Sequence, residues 1–397
     1  MSTLEDIQDK TIGVFFGGQS PEHEISIITG EFVIAEMKKM GLTVVAVYVG
    51  RDGAWYSDEK IAKLAFFKGE YKKALAELPE YYLNLGRSEY KLALQQKGIF
   101  GAGKTNIEYI FPAFHGLYGE DGTVQGLAEF FQVPYAGCGI YTSAIAVDKV
   151  LTKRVLHALD IPTTDFLVVQ KQEYDKGADA IEKQIHDTLG LPVFVKPARS
   201  GSSIGITKVK EVKDLRDALN LALYYDPKVV VEQSVEDVAD VTCAVLSDGE
   251  GIHISEVQES LFTADLFDYS VKYLEDGGAQ TGNAESNLVI PATISPEHTA
   301  QVKDISKQLF TTLEANGTLR VDFLLNKKTG ELFANEVNTL PGTLYHHLWK
   351  KSGIDINVVL EMMLKDGMCR WNESREIHDD YATEVLTNAN QAKLQQG

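Results

Sequence analysis

Two carboxylates, an amide and a guanidinium recur at matched spacing in LRVDFLLNKKTGELFANEVN, residues 319–338. If Lys328-Thr329-Gly330 forms a three-residue turn with Gly330 in the left-handed region, Asp322 falls opposite Glu336 and Arg320 opposite Asn338. Strand alternation then puts all four side chains on one face. Asp322, Glu336 and Asn338 offer the hard oxygen ligands that suit Mg²⁺, with coordination positions left for phosphate oxygens. The same pattern also fits a solvated polar face laced with salt bridges.

Phosphate chemistry is suggested elsewhere in the chain. In PARSGSSIG, residues 197–205, Gly and Ser fill five of nine positions. Such a loop lets backbone amides close around anionic oxygens, or is simply a flexible hairpin connection. Lys196 before it, Lys149 at a helix start and Lys272 in DYSVKY add separate point charges that together suit a polyphosphate. Glu232 ends the apolar run VVVEQ, where it either accepts hydrogen bonds from an adenine amino group or sits at a sheet edge. GIFGAGKT, residues 98–105, spells the GxxxxGK[ST] pattern. A P-loop needs a buried strand before it and a helix at its Lys, whereas polar KLALQQK precedes and strand-like IEYIFPAF follows, so Lys104 reads as a surface residue.

The elements that must position these groups alternate between strand-like runs and helical periodicity. KTIGVFF leads into Gly17-Gly18, and Ser20-Pro21-Glu22 reads as N-cap, N1 and N2 of a helix with Ile25, Ile28 and Phe32 on its apolar face. TVVAVYVG follows, and with IEYIFPAF it argues for an N-terminal domain built on a parallel sheet. The middle reads as a small α+β layer: a helix from Asp148, the strand-loop-strand PVFVKPARSGSSIGITKV, a helix near Leu215–Leu223 and VVVEQ. A helix opened by Ser295-Pro296-Glu297 and the metal-face hairpin come next. The tail from about Glu376 is polar, a loosely docked helix or disorder.

With 397 residues and 44% hydrophobic content the chain can bury full cores in two or three domains. Cys138, Cys243 and Cys369 lie far apart with no CxxC spacing, which argues against a disulfide framework or zinc cluster and fits a reducing cytoplasm. The polar, acidic start MSTLEDIQDK and the lack of a long apolar run predict neither export nor membrane insertion. A formal charge of −19 disfavours nucleic acid as a partner, although a few local lysines can still hold a small anion.

The chain resembles the D-alanine–D-alanine ligases of the ATP-grasp superfamily. GGQSPEHEIS, HGLYGEDGTVQG, the Asp148-Lys149 helix start, VKPARSGSSIG, DYSVKY, RVDF and NEVNTLPG occur in that family's order and spacing across residues 11–365. The resemblance implies an ATP-grasp fold of mixed α/β and α+β class with a Rossmann-like, parallel-sheet N-terminal domain. It divides the chain into an N-terminal substrate domain (1–138), a central domain with the lid loop (139–232), a C-terminal catalytic domain (233–374) and the polar tail (375–397). It implies a cytoplasmic homodimer that joins two D-alanines for peptidoglycan precursors, using ATP and two Mg²⁺ ions, for which Mn²⁺ can substitute.

In that reading Lys149, Lys196, Lys272 and Ser203 contact ATP phosphates, Glu232 the adenine and Asp240 the ribose, while Asp322, Glu336 and Asn338 hold the metal. Glu22 anchors the first substrate's ammonium beside His115, and Ser202 and Tyr273 link to Glu22 to keep the lid shut. Arg320 and the Gly342 amide stabilise the tetrahedral oxyanion. Where many relatives carry Ser-Leu for the acceptor's carboxylate, this chain has His347-Leu348, which opens D-serine and D-lactate as alternative acceptors. Adjacent histidines in an extended segment point to opposite faces, so His347 is expected to read the acceptor and His346 to pack or face solvent. A binding-only ATP-grasp protein is the contrasting class, and it has no need of the oxyanion group Arg320.

Overall fold

The computed structural model describes residues 5–87, 90–98, 103–261 and 288–376. Three sheets carry the chain. The first holds β1 (Ile12–Gly17), β2 (Val44–Val49), β3 (Trp55–Tyr56), β4 (Glu80–Leu83), β5 (Leu92–Gln96), β6 (Lys104–Ile107) and β7 (Tyr109–Pro112) in the order β6-β5-β4-β3-β2-β1-β7. The expected parallel sheet is confined to β2-β1-β7, and β3 to β6 extend it as an antiparallel meander. β1 and β7 are buried at every position, as apolar runs in a parallel sheet should be. The single strand expected over IEYIFPAF is two, because the backbone switches partner at Glu108, whose N–H donates to Thr11 O while its carboxylate accepts from Thr11 N.

The connection from β1 to β2 is the helix His23–Lys39, with Glu22 at its N-cap. It starts later than expected. Ser20 and Pro21 instead form a turn in which Ser20 Oγ accepts from Glu22 N and Ser20 O from His23 N. Gly41, at φ 78°, ends the helix in the left-handed cap that favours glycine.

The central sheet is antiparallel, in the order β10 (Thr207–Val209), β9 (Val193–Pro197), β11 (Lys228–Gln233), β8 (Phe166–Gln170). The helices Lys171–Leu189 and Leu215–Tyr225 cover it through Tyr174, Ile185, Leu189, Leu215, Leu219 and Leu223. The third sheet runs β15 (Leu288–Val289), β14 (Gln258–Ser260), β12 (Val238–Ser247), β16 (Thr318–Asn326), β17 (Leu332–Asn338), with β13 (Ile252–Ile254) paired to β12. The helix Pro296–Thr312 packs on it, opened as expected by Ser295, whose hydroxyl accepts from His298 N.

The first and third sheets share one apolar core. Val14, Phe16, Ile34 and Tyr48 belong to the same buried cluster as Leu344, Leu348, Trp349 and the Val359, Leu360, Met363 and Leu364 of the closing helix Ile356–Arg375. That shared core fixes the segment after Gly342 against the helix His23–Lys39. Residues 377–397 of the expected tail lie outside the described residues, and among those described no helix is long and apolar enough to cross a membrane.

Candidate active site

The β16–β17 hairpin pairs Arg320 with Asn338 and Asp322 with Glu336. That register arises differently from the expectation. The loop is four residues long, 327–330, closed by Asn326 N donating to Glu331 O, with Gly330 at φ 78°. A bulge at Asn335 then inserts the residue that restores the pairing, since Phe323 faces Ala334 while Asp322 faces Glu336. Asp322 is the hub of the face: Arg320 donates to both its oxygens at 2.9 and 2.7 Å, Thr242 Oγ1 to Oδ1 at 3.0 Å and Asn338 Nδ2 to Oδ2 at 3.0 Å. The Arg320 guanidinium stacks 4.6 Å over the Tyr345 ring.

Opposite this face, Asp148 caps its helix by accepting from Val150 N and Leu151 N, which holds Lys149 at the cavity. Lys149 Nζ donates to Ser200 O at 2.7 Å and lies 3.4 Å from Glu336 Oε1, so it joins the glycine-rich loop to the expected metal face. The loop spans β9 and β10, with Ser202 and Ser203 at φ 51° and 59°. Its base is fixed by Arg199, which donates from Nε and Nη2 to Asp226 at 3.0 and 2.7 Å. Ser202 Oγ donates to Glu22 Oε1. Burial pushes the Glu22 carboxyl pKa up, and the Glu120 charge adds to that rise, while His115, the Ser202 hydroxyl and Lys149 oppose it.

One cavity is lined by Glu22, His115, Glu120, Lys149, Ser202, Ser203, Asp240, Arg320, Asp322, Glu336, Asn338 and Gly342. Lys196 and Glu232 are not among the residues that line it; they are buried and joined by a 2.8 Å hydrogen bond from Nζ to Oε2. Lys272 and Tyr273 fall outside the described residues.

His347 and Leu348 are placed differently from the extended strand assumed for them. His346–Lys351 is a helix, so alternation does not govern the two histidines. His346 stacks 4.8 Å from the Phe32 ring, and Leu348 is fully buried in the shared core. His347 Nε2 is 2.8 Å from Gln258 Oε1 and its ring 4.7 Å from that of Tyr345, which links it to Arg320 indirectly. Burial, with the positive charges of His346 and Arg320, pushes its pKa down to about 4, so the imidazole is neutral near pH 7.

Other participants carry no role in the sequence reading. Glu120, inside HGLYGEDG, accepts from Gly116 N at 2.7 Å and from Leu340 N at 3.2 Å, tying the N-terminal loop to the NTLPG loop. Thr343, Leu344 and Tyr345 take φ of 46°, 56° and 52°, three successive left-handed residues without glycine, a conformation that costs about 1–3 kcal/mol each. Buried side chains and the bond from Thr343 N to Thr29 Oγ1 hold them there. The P-loop spelling is excluded by position: Lys104 is exposed and begins β6, antiparallel to β5, where a helix would be required.

Two carboxylates and an amide oxygen fit a hard cation that takes its other ligands from phosphate and water. Among the described residues, no group of three His, Cys, Asp or Glu side chains is placed to hold a metal by itself.

A family model described as D-ala D-ala ligase N-terminus matches residues 11–138, and one described as D-ala D-ala ligase C-terminus matches residues 155–365. A D-alanine–D-alanine ligase of Thermosipho melanesiensis is 34% identical over 372 residues, 93% of this chain and 96% of its own. That of Thermosipho africanus is 36% identical, over 89% and 92%. Among solved structures, the D-alanine–D-alanine ligase of Coxiella burnetii shares the fold at TM-score 0.73 and 24% identity, covering 93% of this chain and 98% of that one. The VanG D-Ala:D-Ser ligase of Enterococcus faecalis aligns at TM-score 0.72 and 28% identity, covering 92% and 100%.

Proposed function

The chain belongs to the D-alanine–D-alanine ligase family, and we infer that it joins two D-alanines at the expense of ATP, through an acyl phosphate, to supply peptidoglycan precursors. The observation that carries this reading is the convergence of Lys149, Arg320, Asp322, Glu336 and Asn338 with Glu22 in one cavity. A phosphate-binding lysine, an oxyanion group and an ammonium anchor together favour a ligase over a protein that only binds nucleotide.

The chemistry follows from charge. The carboxylate of the first D-alanine and the γ-phosphate repel each other, and Lys149 offsets that repulsion from the loop side. Mg²⁺ held by Asp322, Glu336 and Asn338 would neutralise phosphate oxygens between the two reactants. Glu22 binds the ammonium of the first D-alanine and, through Ser202, closes the loop over it, which excludes water from an acyl phosphate. The amine of the second D-alanine then attacks the acyl carbon, and Arg320 and the Gly342 N–H stabilise the oxyanion before phosphate leaves. Removing one such donor typically costs about 10²–10³ in kcat.

The acceptor end is where this chain differs: a neutral His347, hydrogen-bonded through Nε2 to Gln258 Oε1, occupies the position where many relatives carry a serine hydroxyl. D-Alanine is the acceptor favoured by the relatives, and D-serine is the second reading, supported by the likeness to the D-Ala:D-Ser ligase. Incubating the chain with ATP, Mg²⁺, D-alanine and equimolar D-serine and D-lactate, with mass spectrometry of the products, tests it. The expected product is mainly D-alanyl-D-alanine; ADP release without any dimeric product would contradict a ligase.

A further inference from the structure

Lys153 is fully buried one turn after Lys149 in the helix Lys149–Ala158, and the mechanism above does not use it. A buried ammonium is costly unless it is both hydrogen-bonded and paired. An ammonium has three N–H donors, and here they meet Thr163 Oγ1 at 2.8 Å, Thr164 Oγ1 at 2.9 Å and Thr164 O at 3.4 Å. Glu232 Oε1 stands 3.6 Å from the same Nζ, close enough for strong Coulomb attraction but beyond hydrogen-bond distance. Lys196 donates to the other oxygen, Oε2. Two cations thus hold one buried carboxylate ionised, Lys196 by a hydrogen bond to Oε2 and Lys153 by the longer ion pair to Oε1. The Phe166 ring, 5.5 Å from Lys153 Nζ, gives this end of the cluster an apolar wall.

We propose that Lys153 is a positioning residue for nucleobase selection: it keeps Glu232 ionised and turned so that Oε1 accepts from an exocyclic amine, favouring a 6-aminopurine over a 6-oxopurine. This rests on the nucleotide reading of the neighbouring cavity. An ionised acceptor attracts the N–H of an adenine-type base and repels a carbonyl oxygen in the same place, and sites built on such a bond reject analogues that cannot make it. Thr163 and Thr164 act one step further out, because they take up the lysine's donors and so prevent it from capping Oε1.

The test compares wild type, Lys153→Met, Thr163→Val and Glu232→Gln for KM and kcat with ATP and with ITP, KM for D-alanine, and Tm. Lys153→Met is expected to raise the KM for ATP about tenfold or more. It should narrow the ATP-to-ITP ratio of kcat/KM and leave the KM for D-alanine unchanged. Thr163→Val should shift the ratio the same way by less. In the Glu232→Gln background, Lys153→Met should no longer move the ratio, because the lysine acts through that carboxylate. A fall in Tm with an unchanged ATP-to-ITP ratio would show a purely structural lysine and overturn the proposal. If Lys153→Met does not fold, an unchanged ratio in Thr163→Val has the same force. A wild type that does not saturate with ATP would remove the nucleotide reading itself, and is distinguished from the other outcomes before any variant is made.

Discussion

Ser202, in the glycine-rich loop, donates its hydroxyl to the carboxylate of Glu22 at the N-terminus of a helix in the first sheet's layer, across 180 positions of sequence. The contact brings the backbone so close that a Cβ on Gly201 would lie 2.4 Å from Glu22 Oε2. Gly201→Ala should therefore hold the loop off Glu22 and lower kcat/KM by about tenfold or more, since small misplacements of closing elements are costly. Tm should hardly change, because Gly201 is not in the positive-φ region where a side chain would strain the backbone. Steady-state kinetics with both substrates would check this.

The metal face gives a second expectation. Asp322→Asn or Glu336→Gln should lower kcat at least about 100-fold at saturating Mg²⁺ while circular dichroism stays unchanged. Asp322→Asn also weakens the bidentate grip on Arg320, so it should be the more damaging of the two. Near-normal turnover in either variant would contradict the assignment.

His347 supplies a pH test. Its folded pKa is about 4, below the ordinary 6.5, so the neutral ring is the form present throughout the neutral range. Binding of the acceptor by an imidazolium would weaken as pH rises through the ordinary imidazole range; with the ring already neutral there, the acceptor KM should be flat between pH 6 and 8 with respect to this residue. Its stabilising share is present above pH 6.5 and lost as pH falls towards 4. His347→Ala should still raise the acceptor KM about tenfold or more with little change for ATP. Equal effects from His346→Ala would contradict a role for His347.

Glu31 is buried with Oε1 unpartnered, and burial pushes its pKa from 4.5 up to about 8. Because the folded pKa lies above the unfolded one, stability is full below pH 4.5 and falls as pH rises towards 8. Glu31→Gln should raise Tm at pH 8.5 by roughly 2 °C or more and give no gain at pH 4.5, read by thermal melts across that range.

Much of this site was legible in the sequence because its signals are local. Strand alternation put Arg320, Asp322, Glu336 and Asn338 on one face, and the Asp148-Lys149 helix start and the Gly/Ser loop were visible as spacing. The hairpin register came out right through two compensating differences, a longer loop and a bulge at Asn335, which only tertiary packing decides. The His346-His347 geometry was misread because three left-handed residues turn the chain into a helix there, and no residue-type signal marks them when none is glycine. Lys153 carried a signal, four residues after Lys149 on the same helix face, but its meaning depends on Thr163, Thr164 and Glu232 meeting it in space.

The false P-loop gives the simplest control. Lys104 is exposed on β6, away from the cavity-lining residues, so Lys104→Ala should leave the KM for ATP unchanged. A large increase would reinstate that segment as a nucleotide site.

The central claim, that a carboxylate is activated as an acyl phosphate and then captured by an amine, is tested most directly by isotope transfer. D-Alanine carrying ¹⁸O in its carboxylate is supplied with ATP and Mg²⁺ in ordinary water, and the released phosphate is analysed by mass spectrometry. The account predicts one ¹⁸O in each phosphate, in step with D-alanyl-D-alanine formed. Phosphate without label, released with or without D-alanine, would mean that water is the nucleophile and would contradict the account.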